Sequence, residues 1–245
     1  MSLHSRTRPP APEPSTPFEQ GGAPVRVILL TGPSGSGKTS LAALSGLPVL
    51  NLDDFYKEGT DPTLPQLPDG GGADWDAPLS WDASAAVAAI DALCRSGRTD
   101  VPVYDLSASA RVGTTGLDLG GAPLFIAEGI FAADVIADCR AAGLLADALC
   151  LRGRPATTFR RRLARDLREG RKSAPYLVRR GLRLLRAERS VVARHTALGA
   201  HPCAKPEALA RISAARTMDA ADAADAVQAA DTVDTMQAVD APVSS

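Results

Sequence analysis

No apolar stretch among the 245 residues approaches the roughly 18 that a membrane-spanning helix needs. The first 24, MSLHSRTRPPAPEPSTPFEQGGAP, lack the apolar core of a signal peptide, so the expected address is cytoplasmic, with no membrane partner. The four cysteines, Cys94, Cys139, Cys150 and Cys203, are scattered. With no CxxC pair and no histidine at ligand spacing, a disulfide framework and a zinc site are both disfavoured, and reduced structural thiols are expected. The guanine-reading NKxD pattern is absent, which argues against a GTPase. Lysine is scarce, with Lys38, Lys57, Lys172 and Lys205 the whole supply among 27 basic residues.

The formal net charge of -1 hides an asymmetry. Residues 152 to 194 carry fourteen Arg and one Lys against three acids, whereas 217 to 245 carry six Asp and no base. Charge separated in this way points to an anionic ligand near the basic block. Residues 1–24, rich in Pro, Ser and Gly, read as a disordered leader, and 217–245, nearly all Ala, Asp, Val, Thr and Gln, as a solvated acidic tail. The domain expected between them is 25–216.

Within that domain VRVILL (25–30) is a continuous apolar run bounded by turn residues, the pattern of a strand buried on both faces of a parallel sheet. LPVLNL (47–52), VPVY (101–104), APLFIAEG (122–129) and ADALCLRG (146–153) are further strand candidates. Asp82 is placed to cap a helix running to about Cys94, with Ala85, Ala86, Ala89, Ile90 and Leu93 on its apolar face. Residues 59–74 hold too much Pro and Gly for a regular element and read as a long surface loop. Strands alternating with helices predict an α/β fold with a parallel sheet covered on both faces.

Gly32 to Thr39, GPSGSGKT, matches GxxxxGK[ST] between a strand and a helix predicted over 40–45. Glycines let the backbone curl so that successive N–H groups face phosphate oxygens, and the following helix adds its positive end. Gly32, Pro33, Ser34, Gly35, Ser36, Gly37, Lys38, Thr39 and Ser40 are therefore the expected nucleotide-binding residues, with Lys38 reaching the β and γ phosphates and Thr39 a ligand for Mg²⁺. A compact ammonium suits that cradle better than a guanidinium fork, and one of only four lysines stands there.

A phosphate-binding turn is common to motors, switches and kinases. APLFIAEGI has the apolar run of a Walker B strand but ends in Glu128 alone, which weakens the motor reading. Phosphoryl transfer to a hydroxyl asks for a carboxylate near the acceptor, Mg²⁺ on the phosphates and cations for the transition-state charge. Asp53 and Asp54 stand at the end of the second strand, where a parallel sheet presents ligand-facing residues. Arg160, Arg161, Arg162, Arg165 and Arg168 supply the cations; at helical spacing Arg161, Arg165 and Arg168 share a face, with Arg162 beside it.

LDDFYK, WDAPLSWD, VPVYDLSASAR, EGIF and RRLARDLREGR, in this order after the phosphate-binding turn, resemble the uridine kinase family and its phosphoribulokinase relatives, over roughly residues 25 to 172. The resemblance implies a P-loop NTPase fold, a five-stranded parallel sheet flanked by helices, with an Arg-rich helical lid at about 154–175. It implies ATP and Mg²⁺, and Asp53 as the base for a nucleoside 5′-hydroxyl, with Lys38 and Arg165 also catalytic. Thr39, Asp53 and Glu128 would surround the metal. Tyr56, Asp76, Tyr104, Arg111 and Arg162 would join Asp53 around the nucleoside substrate, and Arg162, Arg165 and Arg171 would grip ATP.

Three positions depart from that pattern. Ser109 stands where the family has a pyrimidine-reading His, Asp76-Ala77-Pro78 replaces DHP, and Glu169-Gly170-Arg171 is one residue shorter than ERGR. Uridine or cytidine is the leading acceptor, and a sugar phosphate, pantothenate or glycerate is the alternative that Ser109 keeps open. A nucleotide-dependent regulator gripping nucleic acid is a third reading; against it, the arginines have no interleaved aromatics for base stacking.

Overall fold

A computed structural model describes residues 25–68, 70–153, 188–219 and 221. The leader over 1–24, the lid over 154–175 with Arg162, Arg165 and Arg171, and nearly all of the acidic tail lie outside the described residues.

Five strands form one parallel sheet in the order β2-β5-β1-β6-β7: β1 is Arg26–Thr31, β2 Val49–Asn51, β5 Leu124–Glu128, β6 Leu145–Leu151 and β7 His201–Cys203. The α/β parallel sheet expected from the sequence is present. β1 lies at its centre because it is apolar at every second position on both faces. Val27 and Leu29 enter one core with Leu50, Phe125 and Ala127. Ile28 and Leu30 enter the opposite core with Leu124, Ile126 and Leu149. The first core is closed by α2 (Ala83–Ser96) through Ala86, Ala89, Ile90 and Leu93, the second by α1 (Lys38–Ser45) through Leu41 and Ala42 and by helical residues 205–219 through Ala208 and Ile212. Burial of a Leu or Ile side chain contributes about 1.5–3 kcal/mol, so this doubly covered strand dominates the core energetics.

The helix predicted from Asp82 forms as expected: Asp82 Oδ1 accepts the Ala85 N–H at 3.0 Å, and Gly97 ends it in a left-handed conformation. All four cysteines are buried and unpaired with one another; burial pushes the Cys94 thiol up to about 12 and the others to about 11. They stay protonated and structural.

Two expectations about strands are corrected. VPVY does not join the parallel sheet: it lies within β3 (Arg98–Asp105), which pairs antiparallel with β4 (Ala110–Asp118) in a separate hairpin. Only Val101 of β3 is buried, so the strand has no second face to cover and needs no neighbour in the sheet. The fifth parallel strand is instead His201–Cys203, a three-residue segment too short and too proline-broken to announce itself.

Beyond the expected boundary at 216, residues 217–219 are also helical. The last described helix continues through residue 219, where Asp219 is buried and ion-paired with Arg26 on β1. The predicted tail thus begins with a residue that the central strand holds. Ending the chain after residue 216 removes the buried Asp219 carboxylate from Arg26 and should lower stability by about 1.5–3 kcal/mol relative to a chain ending at 221. Equal urea midpoints for the two truncations would show the pair to be energetically idle.

Candidate functional site

Three strands of the sheet end side by side. The register aligns Leu30 of β1 and Asn51 of β2 with Glu128 of β5, so Gly32, Gly129 and Asp53 follow one another along the same carboxyl edge. Open parallel sheets bind ligands at that edge.

The glycine turn leaves β1 under a steric constraint. Gly32 has φ 141, and a Cβ there would stand 2.4 Å from the Leu151 carbonyl oxygen on β6, so no other residue fits. Ser36 N–H closes the turn on the Pro33 carbonyl at 3.1 Å. No side chain caps α1, which leaves its first-turn N–H groups to face an incoming anion. Ser36 Oγ is buried with no hydrogen-bond partner among the described residues, a donor that a phosphate oxygen would satisfy. Lys38, also buried, extends its ammonium to the Gly32 carbonyl at 3.0 Å and so lies over the turn. Thr39 Oγ1 donates to Glu128 Oε1 at 2.7 Å.

That last contact bears on the metal. A hydroxyl and a buried carboxylate, both hard oxygen donors, meet beside the phosphate cradle, and Mg²⁺ takes one or two carboxylates with phosphates and water rather than a full protein cage. The donor set fits. Among the described residues no group of three or more His, Cys, Asp or Glu could hold a metal ion.

The paired acids separate. A 3-10 turn over Leu52–Phe55 begins where Asn51 Oδ1 accepts the Asp53 N–H at 3.2 Å. Asp53 turns to the carboxyl edge, where Oδ1 accepts the Ile130 N–H at 3.4 Å. Asp54 turns the other way, accepting from Asn51 Nδ2 at 2.7 Å and from Tyr104 N–H at 3.3 Å; burial raises its pKa above the usual carboxylate range. Asp54 anchors the hairpin, and Asp53 faces the site. Gly129 makes this possible, because a Cβ there would stand 2.8 Å from Leu52 Cβ and 3.1 Å from Asp53 Oδ1.

Beside Asp53 stands an aromatic wall. Tyr56 meets Trp75 and Phe131 edge-on, with centroids 5.8 and 5.9 Å apart, and Tyr104 at a 43° tilt. The Tyr56 hydroxyl donates to the Trp75 carbonyl at 3.3 Å and that of Tyr104 to the Lys57 carbonyl at 2.9 Å. Ser109, with φ 50, lies at the hairpin tip and lines an open cavity of about 440 Å³ with Glu58, Thr60 and Trp75. Asp76 is exposed next to Trp75, its N–H donating to Asp74 Oδ1 at 3.2 Å. Arg111, expected at the acceptor or a phosphate, pairs with Asp82 at the start of α2 at 3.4 Å, while its N–H donates to Glu58 at 3.1 Å.

His195 carries no motif and is not among the expected site residues. It is buried, with Nδ1 3.1 Å from Thr31 Oγ1 and 3.9 Å from Cys150 Sγ, and burial together with Arg194 and Lys38 lowers its pKa to about 4 against the pull of Asp134. A single histidine 164 residues from the strand it touches leaves no spacing signal.

No protein-family model matches the chain. Over 122 residues, 47% of this chain and 26% of the relative, it is 34% identical to uridine kinase of Schizosaccharomyces pombe. Over that stretch the chain resembles a uridine kinase. Over 111 residues, 43% of this chain and 16% of the relative, it is 32% identical to an inorganic pyrophosphatase of Arabidopsis thaliana. The chain thus spans about a quarter of the first curated relative and less of the second. Among solved structures, a provisionally named fructose transport system kinase from Silicibacter sp. aligns at TM-score 0.48 and 21% identity, over 71% of this chain and 87% of that one. A provisionally named uridine kinase from Bacillus stearothermophilus aligns at 0.41 and 21%, over 56% and 76%. No helix among the described residues is long and apolar enough to cross a membrane.

Two outcomes follow from this geometry. Gly129→Ala should push Leu52 away and carry the Asp53 turn with it, with a stability loss of about 1–3 kcal/mol in urea unfolding; an unchanged midpoint would mean that the turn gives way freely. His195 has a folded pKa near 4 against 6.5 unfolded, so the unfolded chain takes up its proton first as pH falls. The contribution is complete above about 6.5 and is lost downward toward 4. Between pH 7 and 5 it amounts to about 2 kcal/mol, which a His195→Asn variant should not lose.

Proposed function

We propose that the chain is an ATP-dependent kinase that transfers a phosphoryl group to the 5′-hydroxyl of a pyrimidine nucleoside. The observation that carries this reading is the placement of Asp53, held by the Ile130 N–H at the sheet edge, on the same edge as the glycine turn with Lys38 and as the Thr39–Glu128 pair. A motor or switch has no use for a carboxylate aimed where a hydroxyl acceptor would sit.

In this reading the N–H groups of residues 32–40 and the Lys38 ammonium bind the triphosphate, and Lys38 leaves the Gly32 carbonyl to follow the β and γ oxygens. Thr39 and Glu128, with Asp53 nearby, would hold Mg²⁺, which neutralises phosphate charge when bound. Asp53 accepts the proton of the attacking hydroxyl. Its Ile130 hydrogen bond holds Oδ1 and leaves Oδ2 to receive the proton. Tyr56, Tyr104 and Trp75 offer flat faces to a nucleobase, and Asp76 beside them is the candidate for the ribose hydroxyls. Arg162, Arg165 and Arg171, by sequence, supply the transition-state cations.

Ser109 favours a second reading. Its short side chain leaves the cavity beside Trp75 and Glu58 open and unselective, which suits the same chemistry on another small hydroxyl acceptor such as a sugar phosphate, pantothenate or glycerate.

ADP release should be measured with uridine, cytidine and those other acceptors. Turnover with the pyrimidine nucleosides is expected; turnover with another acceptor alone selects the second reading, and none with any defeats both. Asp53→Asn should cut turnover by roughly 10²- to 10⁴-fold while ATP binding changes little. Full activity in that variant would remove Asp53 from the role of base.

A further inference from the structure

Thr31 is the last residue of β1, immediately before the glycine turn, and its hydroxyl is buried between two partners. Oγ1 donates to the Ile130 carbonyl at 3.2 Å and lies 3.1 Å from His195 Nδ1. A hydroxyl has one proton and a carbonyl has none to give. With the Thr31 proton on Ile130 O, the proton between Thr31 and His195 belongs to Nδ1. The bonds therefore run in one direction: His195 Nδ1–H to Thr31 Oγ1, Thr31 Oγ1–H to the Ile130 carbonyl, and Ile130 N–H to Asp53 Oδ1.

The chain's far end is anchored on both sides of His195. Arg194 pairs with Asp134 in the 3-10 turn over Ala132–Val135, just beyond Ile130, and Ala200 N–H donates to the His195 carbonyl at 3.0 Å. The charged and titratable groups facing the imidazole are Arg194, Asp134, Lys38 and Cys150, and none of them occupies the Thr31 hydroxyl. The Thr31–His195 contact is buried, so an apolar group in place of either partner leaves the other without its hydrogen bond.

We propose that His195 is a positioning residue: through Thr31 it holds Ile130 by its carbonyl, and the N–H on the other side of the Ile130 Cα holds the carboxylate of Asp53 beside the phosphate-binding turn. Such a link explains why two polar side chains, Thr31 and His195, are buried against each other at the end of the central strand. It joins helical residues 188–197, far along the chain, to both halves of the site: β1 on the cradle side and the 129–131 turn on the acceptor side. The role in turnover rests on the kinase reading, whereas the bond chain itself does not.

The full chain should be compared with His195→Leu, His195→Asn, Thr31→Val and the Leu/Val double variant. The asparagine amide can restore the donor at the Nδ1 position; leucine fills the space without it. Expected is a fall in kcat of roughly tenfold to a hundredfold for His195→Leu and Thr31→Val, as for a misplaced catalytic group. Acceptor KM and the Kd of a non-hydrolysable ATP analogue should each stay within about twofold, the double variant should be no worse than the lower single, and His195→Asn should recover to within about threefold of wild type. Losses that add in the double variant, or an asparagine variant as poor as leucine, would reduce His195 to packing. Nitrogen-15 spectra give an answer independent of activity and of whether the leucine variant folds: wild-type His195 should be neutral with its proton on Nδ1, and the Ile130 amide resonance should shift in His195→Asn far less than in Thr31→Val. An Nε2-protonated imidazole, or an Ile130 amide unmoved by Thr31→Val, overturns the proposal. A wild type that turns over no acceptor but shows both spectral features would fail the kinase reading and leave the link standing.

Discussion

The site depends on the parallel pairing of β1 between β5 and β6, a strand so apolar on both faces that it can exist only at the centre of the sheet. Central placement ends β1 flush with its neighbours and leaves its successor, Gly32, pressed against the Leu151 carbonyl. It also sets Glu128 one strand over from the turn and brings Asn51 and Asp53 onto the same edge. The glycine turn, the Thr39–Glu128 contact and Asp53 thus come from segments far apart in sequence, and hydrophobic burial of the strands behind them holds them in place.

Among the described residues, Gly32 and Gly129 stand where a neighbouring segment approaches too closely for a side chain. Gly32 allows the cradle to form beside β6; Gly129 allows the Asp53 turn to lie against the end of β5. Between these two contacts lies Thr31, whose hydroxyl ties the end of β1 to the 129–131 turn and to His195. Two close approaches and the Thr31 hydrogen bonds therefore tie the glycine turn to the segment that holds Asp53. Asp54, by contrast, spends its oxygens on Asn51 and Tyr104 and secures the hairpin that carries the aromatic wall.

The parallel core was legible because each of its longer strands is a continuous apolar run, and the cap at Asp82 because its spacing to an apolar face is local. The hairpin was not. VPVY has the composition of a buried strand, and only its pairing with the exposed, glycine-bearing 110–118 segment shows that it lies outside the sheet. His201–Cys203 is too short for any pattern, and it is a strand because β6 offers it an edge. Asp219 sits in a run of Ala and Asp that reads as solvated, and Arg26, 193 residues away, draws it into the fold.

Sequence alone carried these signals: the GPSGSGKT turn between a strand and a helix, Glu128 at the end of an apolar strand, the paired acids Asp53 and Asp54, and a resemblance to uridine kinases that a curated relative shares over 47% of the chain. It did so because those signals are local, each carried by a few neighbouring residues and a strand or helix beside them. Only the tertiary structure turned Asp53 to the Ile130 N–H and Asp54 to Asn51 and Tyr104, gave Arg111 to Asp82, and brought His195 to Thr31. Those choices turn on which groups meet across the sheet edge, and contacts between residues dozens of positions apart leave no spacing to read.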